Sequence, residues 1–232
     1  MRQEKKNKDM LTPLFSSLRS FLTRILPLHL VTFVTTAFVT LTFLMSSLRY
    51  YSLSGNGMDL GVWENALFSI FQGDFHLLHF WLRPIYLLYL PFYYLGGVPF
   101  LLFIQSLVVG LSIPIVYRYA WRITGDFLTT YFLLAAYCLY FPVWYICLSD
   151  FHADHWYPLL LGMLYNQRTQ NILSRKSFYG IVILLLTIKE ISIIFLIVYF
   201  FTEYLFYQRK EDYYLFVFGL LIILIICNRS AT

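Results

Sequence analysis

Apolar runs long enough to cross a bilayer recur along this chain, at residues 25–45, 98–117, 127–148 and 177–207. A helix needs about 20 such residues to traverse the hydrocarbon core. Hydrophobic residues make up 59% of the 232 and charged residues 12%, whereas soluble domains carry roughly 25% charged residues. A soluble globular fold is therefore excluded. Lipid offers no partner for an open backbone N–H or C=O, so runs of this length must be helical. The expected fold class is an all-α integral membrane protein, a bundle of about five or six crossings with one or two short interfacial helices.

Charge sets the expected topology. Lys and Arg number 17 and the net charge is +5. The basic residues gather at the ends of apolar runs, the pattern that keeps those ends in the cytoplasm. Residues 1–24, with Arg2, Lys5, Lys6, Lys8, Arg19 and Arg24, form a basic cytoplasmic N-terminus, and residues 25–232 form a single transmembrane domain. The run 25–45 is longer than a signal-peptide core and no small-residue cleavage site follows it, which makes it a retained anchor in the cell membrane. The sequence shows no basic patch interleaved with aromatics, so membrane lipid, not nucleic acid, is the expected partner. Protein partners are not indicated. Cys138, Cys147 and Cys227 lie in or at the ends of apolar runs, with neither disulfide nor metal spacing, and read as packing residues.

The polar connection 46–83 holds several acids and histidines but few basic residues, and is expected to face outward. Residues 84–95, bounded by Pro84 and by Gly96-Gly97, are too few to span and read as an interfacial helix. The next crossing, 98–117, ends inside at Arg118 and Arg122, and 127–148 runs outward to a loop at 149–155. A short return, 156–165, ends before Arg168, Arg175 and Lys176. For 177–207 there are two readings. A single tilted helix would bury Lys189 and Glu190 near the midplane, at about 2.5–3.5 kcal/mol each. A hairpin would put the pair at its tip and return Arg209 and Lys210 to the side of Arg175 and Lys176, and it is preferred. A last run covers 213–227. Aromatics near the run ends read as interfacial belts.

His76, His79, His152 and His155, with Asp59, Glu64, Asp74, Asp150 and Asp154, fall in two segments expected on the same outer face. Proton transfer and ligand binding both use such groups. Leu60, Trp63, Leu67 and Phe71 recur at helical spacing, so Asp59 opens an expected amphipathic helix lying on the membrane. Asp59 suits an N-cap there, and also a base beside the lipid–water boundary. His152 and His155 have a spacing that a helix could turn into a metal pair, but no metal or other cofactor is expected from them. Lys189 and Glu190, as neighbours about 100° apart on a helix, need separate partners, and an anionic phosphate suits Lys189.

Met58-Asp59-Leu60-Gly61, His79-Phe80, Arg83-Pro84-Ile85-Tyr86, Gln105, Asp150-Phe151-His152 and Lys189-Glu190 follow one another in this order. The series resembles the DUF 2079 family of multi-span membrane proteins, which is in turn similar to the GT-C glycosyltransferases. That resemblance implies a GT-C-like bundle moving a sugar from a polyprenyl-phosphate donor to an acceptor on the non-cytoplasmic face. It implies Asp59 as the general base with Glu64 as a lesser candidate, and Arg83 and Lys189 on the donor phosphates. His79, Asp150, His152 and Glu190 would complete the substrate site. It also implies a longer chain, of which this is the N-terminal part. The alternatives are a non-catalytic protein that binds or transports a lipid carrier, an inactive fragment of the family, and, last, a metal-dependent hydrolase built on His152 and His155.

Overall fold

A computed structural model describes residues 28–53, 58–74, 85–170, 175–189, 191–208 and 210–230. Every regular element among them is helical. The first, α1 (Leu28–Tyr51), runs on past residue 45, where the polar connection was expected to begin. The reason is local: the Ser46 hydroxyl donates to the Cys147 carbonyl at 2.6 Å, and the Arg49 guanidinium donates to the Leu148 carbonyl. Polar side chains with partners inside the bundle leave the backbone free to stay helical.

The next elements are α2 (Met58–Phe71) and α3 (Tyr86–Thr124). Gly97 interrupts α3 with φ 60° and ψ −150°, a region open in practice to glycine alone. The break sits at the expected Gly96-Gly97 boundary, so a short helix precedes the long apolar crossing. The expected single run 127–148 is in fact α4 (Phe127–Leu139) and α5 (Phe141–Leu148), bent by 42°. Pro142 starts the second helix and has no N–H to continue the first ladder. A 3-10 turn (Ala153–Trp156) leads into α6 (Tyr157–Gln170), followed by α7 (Arg175–Leu186), α8 (Ile191–Tyr207) and α9 (Lys210–Ser230).

Among the described residues two helices, α1 and α3, are long and apolar enough to cross a membrane, or three if the bent α4–α5 pair counts as one. Among the described residues, helices of spanning length are thus fewer than the five or six crossings expected. With 14, 12 and 17 residues, α6, α7 and α8 each fall short of about 20. Yet 177–207 is a hairpin as expected. The rings of Phe178 and Phe200 lie 6.3 Å apart, where one straight helix would separate them by about 33 Å.

Side-chain pairs give the direction of each helix. Ser112 meets Tyr137 and Tyr117 meets Tyr131, so α4 returns antiparallel to α3. Tyr157 meets Ser192 and Tyr165 meets Tyr199, so α6 and α8 run parallel. Tyr204 meets Tyr213 and Phe201 meets Phe216, which makes α9 antiparallel to α8. The order of turns sets Arg118, Arg122 and Lys176 at one end of the bundle. The start of α2, the loop after α5 and the hairpin tip gather at the other. The larger core cluster lies toward that second end and takes residues from α2, α3, α6, α7, α8 and the loop, while a smaller one joins α1 to α3, α4 and α5.

Candidate functional site

At the second end, α2 docks on protein. Trp63 is buried against Tyr89 and Phe151 and Leu67 lies buried in the same core, whereas Phe71 is 54% exposed. The expected apolar stripe is therefore redrawn as Trp63, Ala66, Leu67 and Ile70, facing α3 and not the membrane. Asp59 lies in the first turn of this helix. Further along, Glu64 accepts a hydrogen bond from the Tyr93 hydroxyl at 3.3 Å.

The loop after α5 is anchored at its centre. Phe151, fully buried, packs edge-on against Tyr89 at 4.8 Å and Trp63 at 5.4 Å. Gln105, buried in α3, holds both flanks of the loop. Its amide donates to the carbonyls of Ile146 at 2.7 Å and Cys147 at 3.1 Å, and its oxygen accepts from the His152 N–H at 3.4 Å. Removing the amide strands backbone groups in the interior, at about 1–3 kcal/mol for each group left unpaired. Gln105→Leu should therefore cost about 2–4 kcal/mol in thermal unfolding and speed hydrogen exchange at the His152 amide. Unchanged exchange there would show that the loop does not depend on Gln105.

His155 closes the loop. The carbonyl of His152 can only accept, so His155 Nδ1, which contacts it, carries the proton. Nε2 is then the bare nitrogen, and it accepts from the Tyr89 hydroxyl at 3.0 Å, which in turn accepts from Trp156 Nε1 at 2.6 Å. Burial pushes the His155 pKa down from 6.5 to about 3. Both nitrogens are spoken for, and this histidine is a neutral structural brace. Among the described residues no group of three or more His, Cys, Asp or Glu is placed to hold a metal ion.

Two features face outward from this framework. Lys189, at the hairpin tip, pairs with Asp154 at 3.6 Å, the side chains being 39% and 36% exposed. A pair this exposed is worth at most about 1 kcal/mol; its effect is to tie the loop to the tip. Lys189 thus has its separate partner, and it stands at a turn instead of inside one long helix. The second feature is a cavity of about 160 Å³ between α1, α2, α3 and the loop, with Arg49, Tyr50, Ser149 and Asp150 in its wall. Asp150 Oδ2 is buried and accepts no hydrogen bond from a described residue.

The chain matches no family model, no curated protein and no solved structure. What can be said of the site rests on its own geometry.

Of the expected site residues, Asp59, Glu64, Asp150, His152 and Lys189 come together at one end of the bundle. His152 contributes its backbone to the loop's bracing, through its N–H and its carbonyl. His79, Arg83 and Glu190 lie outside the described residues. Sequence reasoning missed Arg49, Tyr89 and the bracing role of Gln105. Arg49 carried a readable signal, as the lone Lys or Arg between Arg24 and Arg83. Gln105 and Tyr89 carried little, because their partners lie 41 to 67 positions away.

Proposed function

We propose that this chain belongs to the catalytic part of a membrane glycosyltransferase that moves a sugar from a polyprenyl-phosphate donor to an acceptor on the non-cytoplasmic face. The observation that carries the reading is the convergence of three separate segments at one end of the bundle. These are the start of α2 with Asp59, the loop with Asp150 and Asp154, and the hairpin tip with Lys189. The bond from the anomeric carbon to the donor phosphate oxygen breaks as the acceptor oxygen bonds to that carbon. Asp59 takes the hydroxyl proton, with Glu64 as the alternative base. Lys189 and Arg83 neutralise the charge left on the phosphate. His79, Asp150, His152 and Glu190 complete the substrate site. No cofactor is needed for these steps.

Lys189 is the residue to test first. Native mass spectrometry of the protein in mild detergent with added undecaprenyl phosphate should show a retained lipid, and Lys189→Ala should weaken retention about tenfold. Retention unaffected by the substitution would remove Lys189 from the donor site. Specific retention without sugar transfer in proteoliposomes would favour the non-catalytic carrier-binding reading.

A further inference from the structure

The break between α4 and α5 stands at a depth where lipid does not suit it. Ser112 on α3 meets Tyr137 on α4, and Tyr117 meets Tyr131, so residue 140 is level with about residue 109 of α3. With the apolar run 98–117 as the crossing, residue 140 lies about 13 Å from the Arg118 end of a hydrocarbon core about 30 Å thick. That is near the middle of the membrane. The break at Gly97 poses no such difficulty, because it falls at the end of the crossing.

The Tyr140 backbone is extended, with φ −67° and ψ 116°, and the helix axis bends there by 42°. Helix ends leave N–H and C=O groups without intrahelical partners, and hydrocarbon supplies none. The chain meets part of this demand itself. Pro142 has no N–H to give the Cys138 carbonyl, and the Trp144 indole N–H donates to it instead. No side chain caps the start of α5, however. Leu139, Tyr140 and Phe141 are 76%, 60% and 73% exposed, so the break faces away from the bundle. Irregular backbone at this depth is stable against protein or beside a water-filled cavity. Exposed leucine and phenylalanine make a poor wall for water, which leaves protein as the cover.

Two observations choose the protein. Copies of one chain sit in a membrane in one orientation, so a two-fold axis along the membrane normal sets equal depths against each other, break against break. The face also carries its own complement at that depth, since the exposed Tyr140 side chain ends in a hydroxyl that both donates and accepts. About one turn before it, Ala135 and Ala136 are exposed as well, and residues this small let a neighbouring helix come close.

We propose that the α4–α5 break is a dimerisation face on which a second copy of this chain seats its own break, each copy's Tyr140 hydroxyl bonding to the backbone opened in the other. The proposal does not depend on sugar transfer.

Photo-crosslinking in native membranes tests it, using the whole chain with benzoylphenylalanine in place of Phe141 and two different epitope tags on separate copies. Irradiation should give an adduct that carries both tags and has twice the 27.6 kDa of one chain. The same probe in place of Phe33, a comparably exposed residue of α1, should not. Tyr140→Phe removes one hydroxyl from each copy and should lower the association constant about tenfold, counted by single-molecule photobleaching in liposomes. Adducts from position 141 with lipid alone, or with a different protein alone, would overturn the proposal. So would an equal yield of the doubly tagged adduct from position 33, or an association constant that Tyr140→Phe leaves unchanged.

Discussion

Acidification should destabilise this protein through His155. The side chain is fully buried, Nδ1 is committed to a carbonyl and Nε2 to the Tyr89 hydroxyl, so the folded state resists a second proton down to a pKa of about 3. The unfolded chain accepts that proton near 6.5. Between these values the unfolded state binds more protons, so stability is complete above pH 6.5 and falls as the pH drops, by about 1.4 kcal/mol per unit. The whole window amounts to about 4–5 kcal/mol, a large share of the 5–15 kcal/mol that holds a typical domain. Carboxylates titrate at the lower end, which makes pH 6.5 to 5 the informative range. There the wild type should lose about 2 kcal/mol more than His155→Gln, measured by thermal unfolding in detergent. Parallel pH profiles for the two proteins would mean that the buried imidazole is not what acid attacks.

Asp59→Asn should leave the helix standing and remove transfer. Asp59 is the second residue of α2, and asparagine has the same shape as aspartate there, so any loss reports on chemistry. A carboxylate that takes the acceptor proton contributes about 10²–10⁴-fold to rate, and the amide cannot take it. The expected result is a fall of that size in transfer from lipid-linked sugar in proteoliposomes, with an unchanged unfolding temperature. Asp59→Ala is less informative, since it changes the side chain's shape as well as its charge. Full activity in Asp59→Asn would transfer the question to Glu64, which the Tyr93 hydroxyl holds in place, and Glu64→Gln would then be decisive.

Local rules account for most of what was readable beforehand. Long apolar runs became helices because lipid leaves the backbone no other partner. The adjacent glycines at 96 and 97 broke α3 because one of them takes a positive φ. The charged pair at 189 and 190 marked a turn because two adjacent ions do not sit well inside one apolar helix. What was not readable depended on partners far along the chain. The expected loop after residue 45 is helical because Ser46 and Arg49 find carbonyls about a hundred positions away. The stripe of α2 was drawn as though lipid would cover it, and Phe71 was included. Trp63 instead meets Tyr89 and Phe151, Leu67 is buried in the same core, and Phe71 turns outward. Of the candidate site, the acids and the lysine were visible as unusual residues in their segments, while the scaffold that sets them in place was not. Gln105 has no periodicity or composition to mark it, only the three backbone groups that it holds.

The hairpin of α7 and α8 also bears on how the chain is made. At 12 residues, α7 reaches only about 18 Å and cannot by itself lodge across a bilayer as it leaves the ribosome. Its apolar face is covered in part by α6, which precedes it, and in part by α8 folded back against it, as the meeting of Phe178 with Phe200 records. With 12 and 17 residues, α7 and α8 each fall short of a crossing, so they stand as one hairpin held by their mutual contact. A chain cut between the two helices would leave the side of α7 that carries Phe178 without the cover that Phe200 gives it.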